Sequence, residues 1–579
     1  MLIGRKDAWS LAAVAGGAIA ASPWFAGSPF ALLALAPPAV GGAWLATKKA
    51  QRWLSRIDTT SREGFVLPSD ETFGDLMSLR TGIRLGYTKD EGMPVDIEDS
   101  NMARHTAIIG QSGVGKTTLG EYILWQQAAR GGGFIFIDAK LDAETRDKLA
   151  FMLKLLGRAD DFYLLNVDSP DNSHTYNPIL RGDSDEVASR LLNLLPSAEN
   201  SPGADFFRQQ ANYALTVLTG ALKSAKRRYT FSDLAIMLQS DRALESVLRL
   251  PMDAEARMTL EIFLNQFRKK DKSGSSIDVN KLKETFGGMS GRIAQFAQNK
   301  FGRVFNTYAP EIDLTEIVLN NKCLYVMLPT MGKDQAALNL GKMILSDVRT
   351  AVYNVQGLPP AQRPKPNFII FADEMGSYVM PGIARLFEQA RSAQICMIPA
   401  FQTFANLAAV SKDFPDIIIG NTWNKVFFKF ASQDSPEIAA NIMGMTKRYV
   451  YSLSSSQNEG SSAQNLRADP QGSASKSGGM SESWREQEEF RVTPDQLRSM
   501  GKGEAMVLSG SRIFHISTPM LLFPKPIPEY KVSRRKVSVP PDELSLELSK
   551  MYKQFVDAGA PTAQDAMLAA GDITIDADG

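Results

Sequence analysis

Residues 105–118 read HTAIIGQSGVGKTT, and few segments leave a chain less conformational freedom. An apolar run from Ala107 to Ile109 enters Gly110, and Gly110-Gln111-Ser112-Gly113-Val114-Gly115-Lys116-Thr117 satisfies G-x-x-x-x-G-K-[ST] at every position. Glycines at such a bend let successive backbone N–H groups turn inward around phosphate oxygens. Lys116 supplies a point charge for the outer phosphates, and the Thr117 hydroxyl is suited to Mg²⁺. The helix expected from Lys116 onward (KTTLGEYILWQQAAR) aims its positive dipole end at the same phosphates. A chance glycine turn between a strand and a helix is the bland alternative, and a complete match in the right local context argues against it. The segment predicts ATP with Mg²⁺ on Gly110 through Thr118.

Such a loop implies a nucleotide and no more; hydrolysis needs a second half. That half is a buried apolar strand ending in an acid that holds Mg²⁺ through water, followed by a base. Asn367-Phe368-Ile369-Ile370-Phe371-Ala372-Asp373-Glu374 has this form. Asp373 is suited to the metal and Glu374 to polarising the attacking water. The alternative is a strand that merely ends in two acids. Further on lie Arg391, the apolar run ICMIPA and Gln402. From spacing alone, Arg391 is equally an arginine finger for a neighbouring subunit or a solvent-facing residue. Gln402 is equally a γ-phosphate sensor or a plain strand-end glutamine.

Around these motifs the chain alternates. Short apolar runs at Phe134–Asp138, Phe162–Val167, Cys323–Leu328, Phe368–Ala372, Ile395–Ala400 and Val426–Phe430 are separated by helical patterns. That is the mark of a doubly wound α/β sheet. A hairpin over Ala505–Leu508 and Arg512–Ile516 is expected to close it. The acid pair lies 256 residues after Thr117, and a block of three-to-four spacing over about 181–305 accounts for the surplus as an inserted all-α domain. Residues 8–47 carry no charge and break at SPWFAGSP, leaving two apolar arms. Arg5 and Lys6 before them, and Lys48, Lys49 and Arg52 after, put both ends on the cytoplasmic side of two transmembrane helices. A cleaved signal peptide is the rival, disfavoured by the second arm. Cys323 and Cys396 in apolar runs read as buried thiols, and three scattered histidines suggest no metal cluster.

The expected division is therefore a membrane anchor at 1–53, a connector with the first strands of the ATPase domain at 54–104, and the first part of that domain at 105–180. The all-α domain follows at 181–305, and the second ATPase part at 306–530, with a flexible Ser/Gly/Gln loop at 451–483. A mobile C-terminal tail with one amphipathic helix fills 531–579.

Two N-terminal arms, GQSGVGKTT, FIFIDAK, IIFADEMGSY, ARSAQICMIPAFQTFANL and IIGNTWNKVFFKF together resemble the type IV secretion coupling proteins, the TraD/TraG class of conjugation ATPases. The resemblance runs to about Lys525 and is densest over 105–140 and 366–435. It implies a RecA-like ATPase domain, a homohexamer in the bacterial inner membrane, and Arg391 and Gln402 in the finger and sensor positions. It also implies partners: single-stranded DNA with its relaxase or relaxosome, and inner-membrane components of the secretion channel. The outer hairpin is short for the family, and neither 451–483 nor the tail matches it.

A net charge of +1 excludes a generally basic nucleic-acid binder, so DNA contact must be local. One basic cluster is Lys223, Lys226, Arg227 and Arg228. A second is Lys269, Lys270, Lys272, Lys281 and Lys283, with Arg292 and Arg303 beyond. Taken alone these are more simply solvated helix ends; the resemblance favours phosphate contacts without base reading. Three rivals to a DNA-moving ATPase stand. They are an FtsK-like translocase, the assembly ATPase of the same secretion machines, and a membrane-tethered receptor for protein substrates that uses ATP as a switch.

Overall fold

The computed structural model describes residues 65–66, 81–195, 202–271, 274–330, 334–459, 476–533 and 542–557. The two apolar arms expected within 1–53 lie outside them. Among the described residues no helix is long and apolar enough to cross a membrane.

Eleven strands form one sheet. In chain order they are β1 (Gly82–Thr88), β2 (Pro94–Glu98), β3 (Thr106–Ile109), β4 (Phe134–Asp138), β5 (Phe162–Asn166) and β6 (Cys323–Met327), then β7 (Phe368–Ala372), β8 (Ile395–Phe401), β9 (Asn424–Phe428), β10 (Glu504–Ser509) and β11 (Arg512–Ser517). Across the sheet the order is β2-β1-β11-β10-β9-β3-β8-β7-β4-β6-β5. From β9 to β5 all neighbours are parallel, while β10, β11, β1 and β2 add an antiparallel flank. Parallel strands need both faces covered, which is why β4, β6, β7 and β8 are apolar runs buried at every position. Phe136 of β4 stacks on Phe371 at 4.9 Å and on Tyr325 at 5.1 Å between ring centroids. β3 sits mid-sheet, with β8 and β7 between it and β4, so the chain leaves β3 at a crossover. Open α/β sheets bind ligands at such a point, beyond the carboxyl ends of the strands.

Buried His105 pins the entry to β3. The Met397 N–H donates to its Nδ1 at 3.1 Å, so the proton sits on Nε2, which meets the Phe387 carbonyl at 2.6 Å. Burial lowers its pKa to about 4, and the ring stays neutral.

The block between the two ATPase parts contains α3 (Ser184–Leu192), α4 (Pro202–Ser224), α5 (Phe231–Met237), α6 (Asp241–Leu248), α7 (Ala254–Asn265), α8 (Val279–Gln295) and α9 (Asn299–Phe305). Earlier in the chain lie α1 (Lys116–Ala129) and α2 (Ala143–Leu155), and later α10 (Asp334–Gln356) and α11 (Glu543–Asp557). The block is not purely helical. Arg268–Asp271 and Gly274–Ile277 pair as a short antiparallel hairpin within the lysine-rich stretch, anchored by buried Ile277 and by the Asp278 N–H on the Phe267 carbonyl at 2.8 Å.

Two further expectations change. Within the stretch assigned as a flexible loop at 451–483, the described residues 451–459 and 476–483 lie in a ladder: Met445–Glu459 pairs antiparallel with Lys476–Phe490, from Met445↔Phe490 to Glu459↔Lys476. A serine-rich strand lacks an apolar face, yet pairing satisfies its backbone groups all the same, and Tyr449-Val450-Tyr451 favours extended backbone. The tail assigned to 531–579 is likewise fixed where it is described. The Val532 N–H donates to Asn172 at 2.7 Å. Helix α11 packs Leu548 and Tyr552 against the inserted block, with Asp542 paired to Arg227 at 2.8 Å and the Ser246 hydroxyl on Glu547 at 3.1 Å. Separately, Phe65–Val66 pairs in parallel with Leu521–Leu522.

Candidate nucleotide site

β3 ends at Ile109 and α1 begins at Lys116, so residues 110–115 form the loop between the central strand and the helix. Gly113 at φ +78° and Gly115 at φ +121° take angles that a side chain would strain. The loop is fastened from behind: the Gln111 N–H donates to the Lys429 carbonyl at 3.0 Å, and the Val114 carbonyl accepts the Gly503 N–H at 2.9 Å. Ser112 and Gly113 face solvent, Val114 is buried, and Thr117 and Thr118 are half-buried on the first turn. The opening N–H groups of α1 have no intrahelical partner by geometry, so they are available to an anion.

Lys116 is buried, and its Nζ donates to the Gly110 and Gln111 carbonyls at 2.6 and 3.0 Å. Burial lowers its pKa, opposed by Glu374, whose carboxylate is 4.0 Å away. β7 delivers Asp373 and Glu374 to the same place. The Thr117 hydroxyl lies 3.4 Å from Asp373 Oδ2, bringing together residues 256 apart in sequence. Glu374 adopts the left-handed region at φ 49°, and its Oε1 accepts a hydrogen bond from Gln402 Nε2 at 3.0 Å. Gln402 follows the carboxyl end of β8, and Arg391 precedes its amino end, exposed. Seven strand residues separate the two ends, about 20 Å. Arg391 is therefore remote from its own chain's site.

A threonine hydroxyl and a carboxylate converging beside a phosphate loop are hard oxygen donors that leave room for water, a set that fits Mg²⁺. A cation already stands there. Lys140 Nζ lies 3.2 Å from Asp373 Oδ2 and 3.0 Å from Glu374 Oε1. Burial raises the Asp373 pKa, and Lys140 opposes that rise. Lys140 itself is partly buried, which disfavours its charge, but the two acids outweigh this and raise its pKa. Sequence reasoning missed Lys140, and it missed Asp138, which ends β4 buried and accepts the Tyr325 hydroxyl at 3.0 Å. The one local signal was FIFIDAK itself, an acid and a lysine just past a buried strand.

The basic clusters are mostly engaged within the chain. Lys223 bonds the Gly182 carbonyl, with a pKa lowered by burial to about 8. Arg227 pairs with Asp542, Arg228 meets the Tyr308 carbonyl at 3.0 Å, Lys281 the Gln266 carbonyl at 2.9 Å, and Arg292 the Leu194 carbonyl at 2.7 Å. Arg303 pairs with Asp171. Lys226, Lys269 and Lys283 are exposed; the side chains of Lys270 and Lys272 lie outside the described residues. Both cysteines are buried and free, and no group of three or more His, Cys, Asp or Glu side chains placed to hold a metal occurs among the described residues.

The two sequence segments that build the site each match a known family. Residues 83–148, holding the loop and Lys140, match the central domain of helicase HerA. Residues 367–502, holding the acid pair, Arg391 and Gln402, match the TraM recognition site of TraD and TraG. Over 572 residues the chain is 24% identical to the type 4 coupling protein DotL of Legionella pneumophila, covering 88% of this chain and 69% of that protein. The bacterial conjugative coupling protein TrwBdeltaN70 superposes at a TM-score of 0.50 and 15% identity, over 79% of this chain and 94% of that one. TrwB in complex with ADP and Mg²⁺ aligns at 0.48 and 15% identity, over 79% and 95%. A RecA-like P-loop fold is thus shared with TrwB, and similarity along most of the chain to DotL agrees with the TraD/TraG segment: the chain is similar to the type IV coupling proteins.

Proposed function

We propose that this chain is a membrane-anchored ATPase that works as a homohexamer, coupling a relaxosome to a type IV secretion channel and driving single-stranded DNA through it. One observation carries the reading: Thr117 and Asp373 meet at 3.4 Å, joining phosphate loop and acid pair into one centre. In it Lys116 and the N–H groups of the loop bind the phosphates of ATP. Thr117 and Asp373 would hold Mg²⁺, which supplies charge for the departing phosphate. Glu374, oriented by Gln402, takes the proton of the attacking water, and Arg391 reaches the nucleotide of the adjacent subunit. The uncharged stretch over 8–47 is the anchor, 105–180 and 306–530 form the motor, and 181–305 is the lobe facing the cytoplasm.

A receptor reading is favoured by one specific observation: the matched family segment at 367–502 is described by recognition of a partner protein. Steady-state ATP hydrolysis with and without single-stranded DNA separates the two. The motor reading expects strong stimulation by DNA, and expects Lys116→Ala to abolish both hydrolysis and DNA transfer in cells. Hydrolysis indifferent to DNA, or transfer that persists in Lys116→Ala, rejects the motor and leaves the receptor.

A further inference from the structure

We propose that Lys140 is a placeholder cation that occupies the acid pair when nucleotide is absent and must be displaced for Mg²⁺ to enter, so that it sets the metal requirement of nucleotide binding. The inference rests on the nucleotide-site reading above.

The geometry that supports it has a fixed base and a free arm. The turn after β4 is clamped from several sides. Asp138 accepts the N–H groups of Lys140 at 2.8 Å and Asp142 at 2.7 Å, and the Thr330 hydroxyl donates to the Ala139 carbonyl at 2.5 Å. The backbone of Lys140 is thereby held in one place. Its side chain, by contrast, is 40% exposed, and its Nζ is donated to the two carboxylates that the site needs for metal and base. An ammonium on four rotatable carbons swings away far more readily than a guanidinium fork.

Among the described residues, no other ammonium is seen to bridge the two acids. Lys116, the other ammonium in the site, is turned to the loop carbonyls and stays 4.0 Å from Glu374. Two adjacent carboxylates in a largely buried position repel each other unless a positive charge stands between them. Lys140 supplies that charge in the empty site; Mg²⁺ supplies it in the loaded one. The two cations compete for the same oxygens, and the displaced ammonium is left near the incoming phosphates. Lys140 acts through Asp373 and Glu374, so it is a positioning residue.

The test is a titration of fluorescent mant-ADP against free Mg²⁺ on the full chain, with Lys140→Met and Lys140→Arg beside the wild type. Removing a competing unit charge at this range should let Lys140→Met reach half-saturation at on the order of tenfold less Mg²⁺. Lys140→Arg, which keeps the charge on a fork less readily swung away, should need at least as much Mg²⁺ as the wild type. A second readout needs no nucleotide. In EDTA, Lys140→Met should melt below the wild type, Mg²⁺ alone should restore it, and the loss should shrink in a Glu374→Gln background. An unchanged or raised Mg²⁺ midpoint in Lys140→Met overturns the proposal. If the wild type binds no mant-ADP at any Mg²⁺ level, the nucleotide reading fails, and the EDTA melting cycle then decides the placeholder role alone: equal melting of Lys140→Met and wild type overturns it.

Discussion

Two of the described clusters that set a basic side chain against buried carboxylates are built for opposite purposes. In the site, Lys140 bridges Asp373 and Glu374 with an arm that is 40% exposed. Where the inserted block meets α10, Arg190 and Asp347 pair at 3.0 Å with side chains 1% and 6% exposed. Arg190 is also bonded to the Thr350 hydroxyl at 2.7 Å and to the Pro178 carbonyl, and Asp347 accepts the Tyr176 hydroxyl at 2.5 Å. Burial pushes the Asp347 pKa up, and Arg190 and Tyr176 hold it back. A pair this enclosed, with its other hydrogen bonds also made inside the chain, fixes α3 against α10. A pair with one mobile, half-solvated member can exchange that member for a metal. The ion pairs are similar; solvent access and redundancy of partners decide which is a joint and which is a site.

The sharpest way to break this contrast is Asp347→Ala. It strands a buried guanidinium and should cost about 3–5 kcal/mol of unfolding free energy, read by urea denaturation. A loss under about 1 kcal/mol would mean the cluster is no joint. Tyr176→Phe is a finer probe, since it removes one hydrogen bond to a charged group and leaves the ion pair; about 1.5–3 kcal/mol should be lost in the same assay. The smallest effect concerns pH. His105 is neutral in the fold down to about pH 4, whereas an unfolded histidine takes up a proton below about 6.5. The unfolded state therefore binds more protons between those values, and stability should fall as pH drops from 6.5 towards 4. Thermal melts across that window should show a shallower slope in His105→Gln; identical slopes would remove His105 as the cause.

The same contrast explains what could be read in advance. The phosphate loop and the acid pair were legible because each is a local pattern at the end of a buried strand, and strand ends in a parallel sheet converge on one edge. Gln402 could be placed at the same edge, one residue past β8, but spacing left its part there open. Lys140 was not, because its partner Asp373 stands 233 residues away and a lone lysine after a strand looks like any solvated lysine. The docking of α11 was hidden similarly: amphipathic spacing announced a helix, but only packing shows that Leu548 and Tyr552 have the inserted block to cover. The ladder between 445–459 and 476–490 escaped because composition speaks to side-chain burial, whereas these strands are held by backbone pairing.

The most direct measurement is ATP turnover set beside ATP binding in Glu374→Gln. If the phosphate loop and the acid pair are one hydrolytic centre, binding measured by equilibrium titration stays within about threefold of wild type, while turnover falls at least about 100-fold. Turnover at the wild-type rate with Glu374 neutralised would contradict the account, because the base would then lie elsewhere.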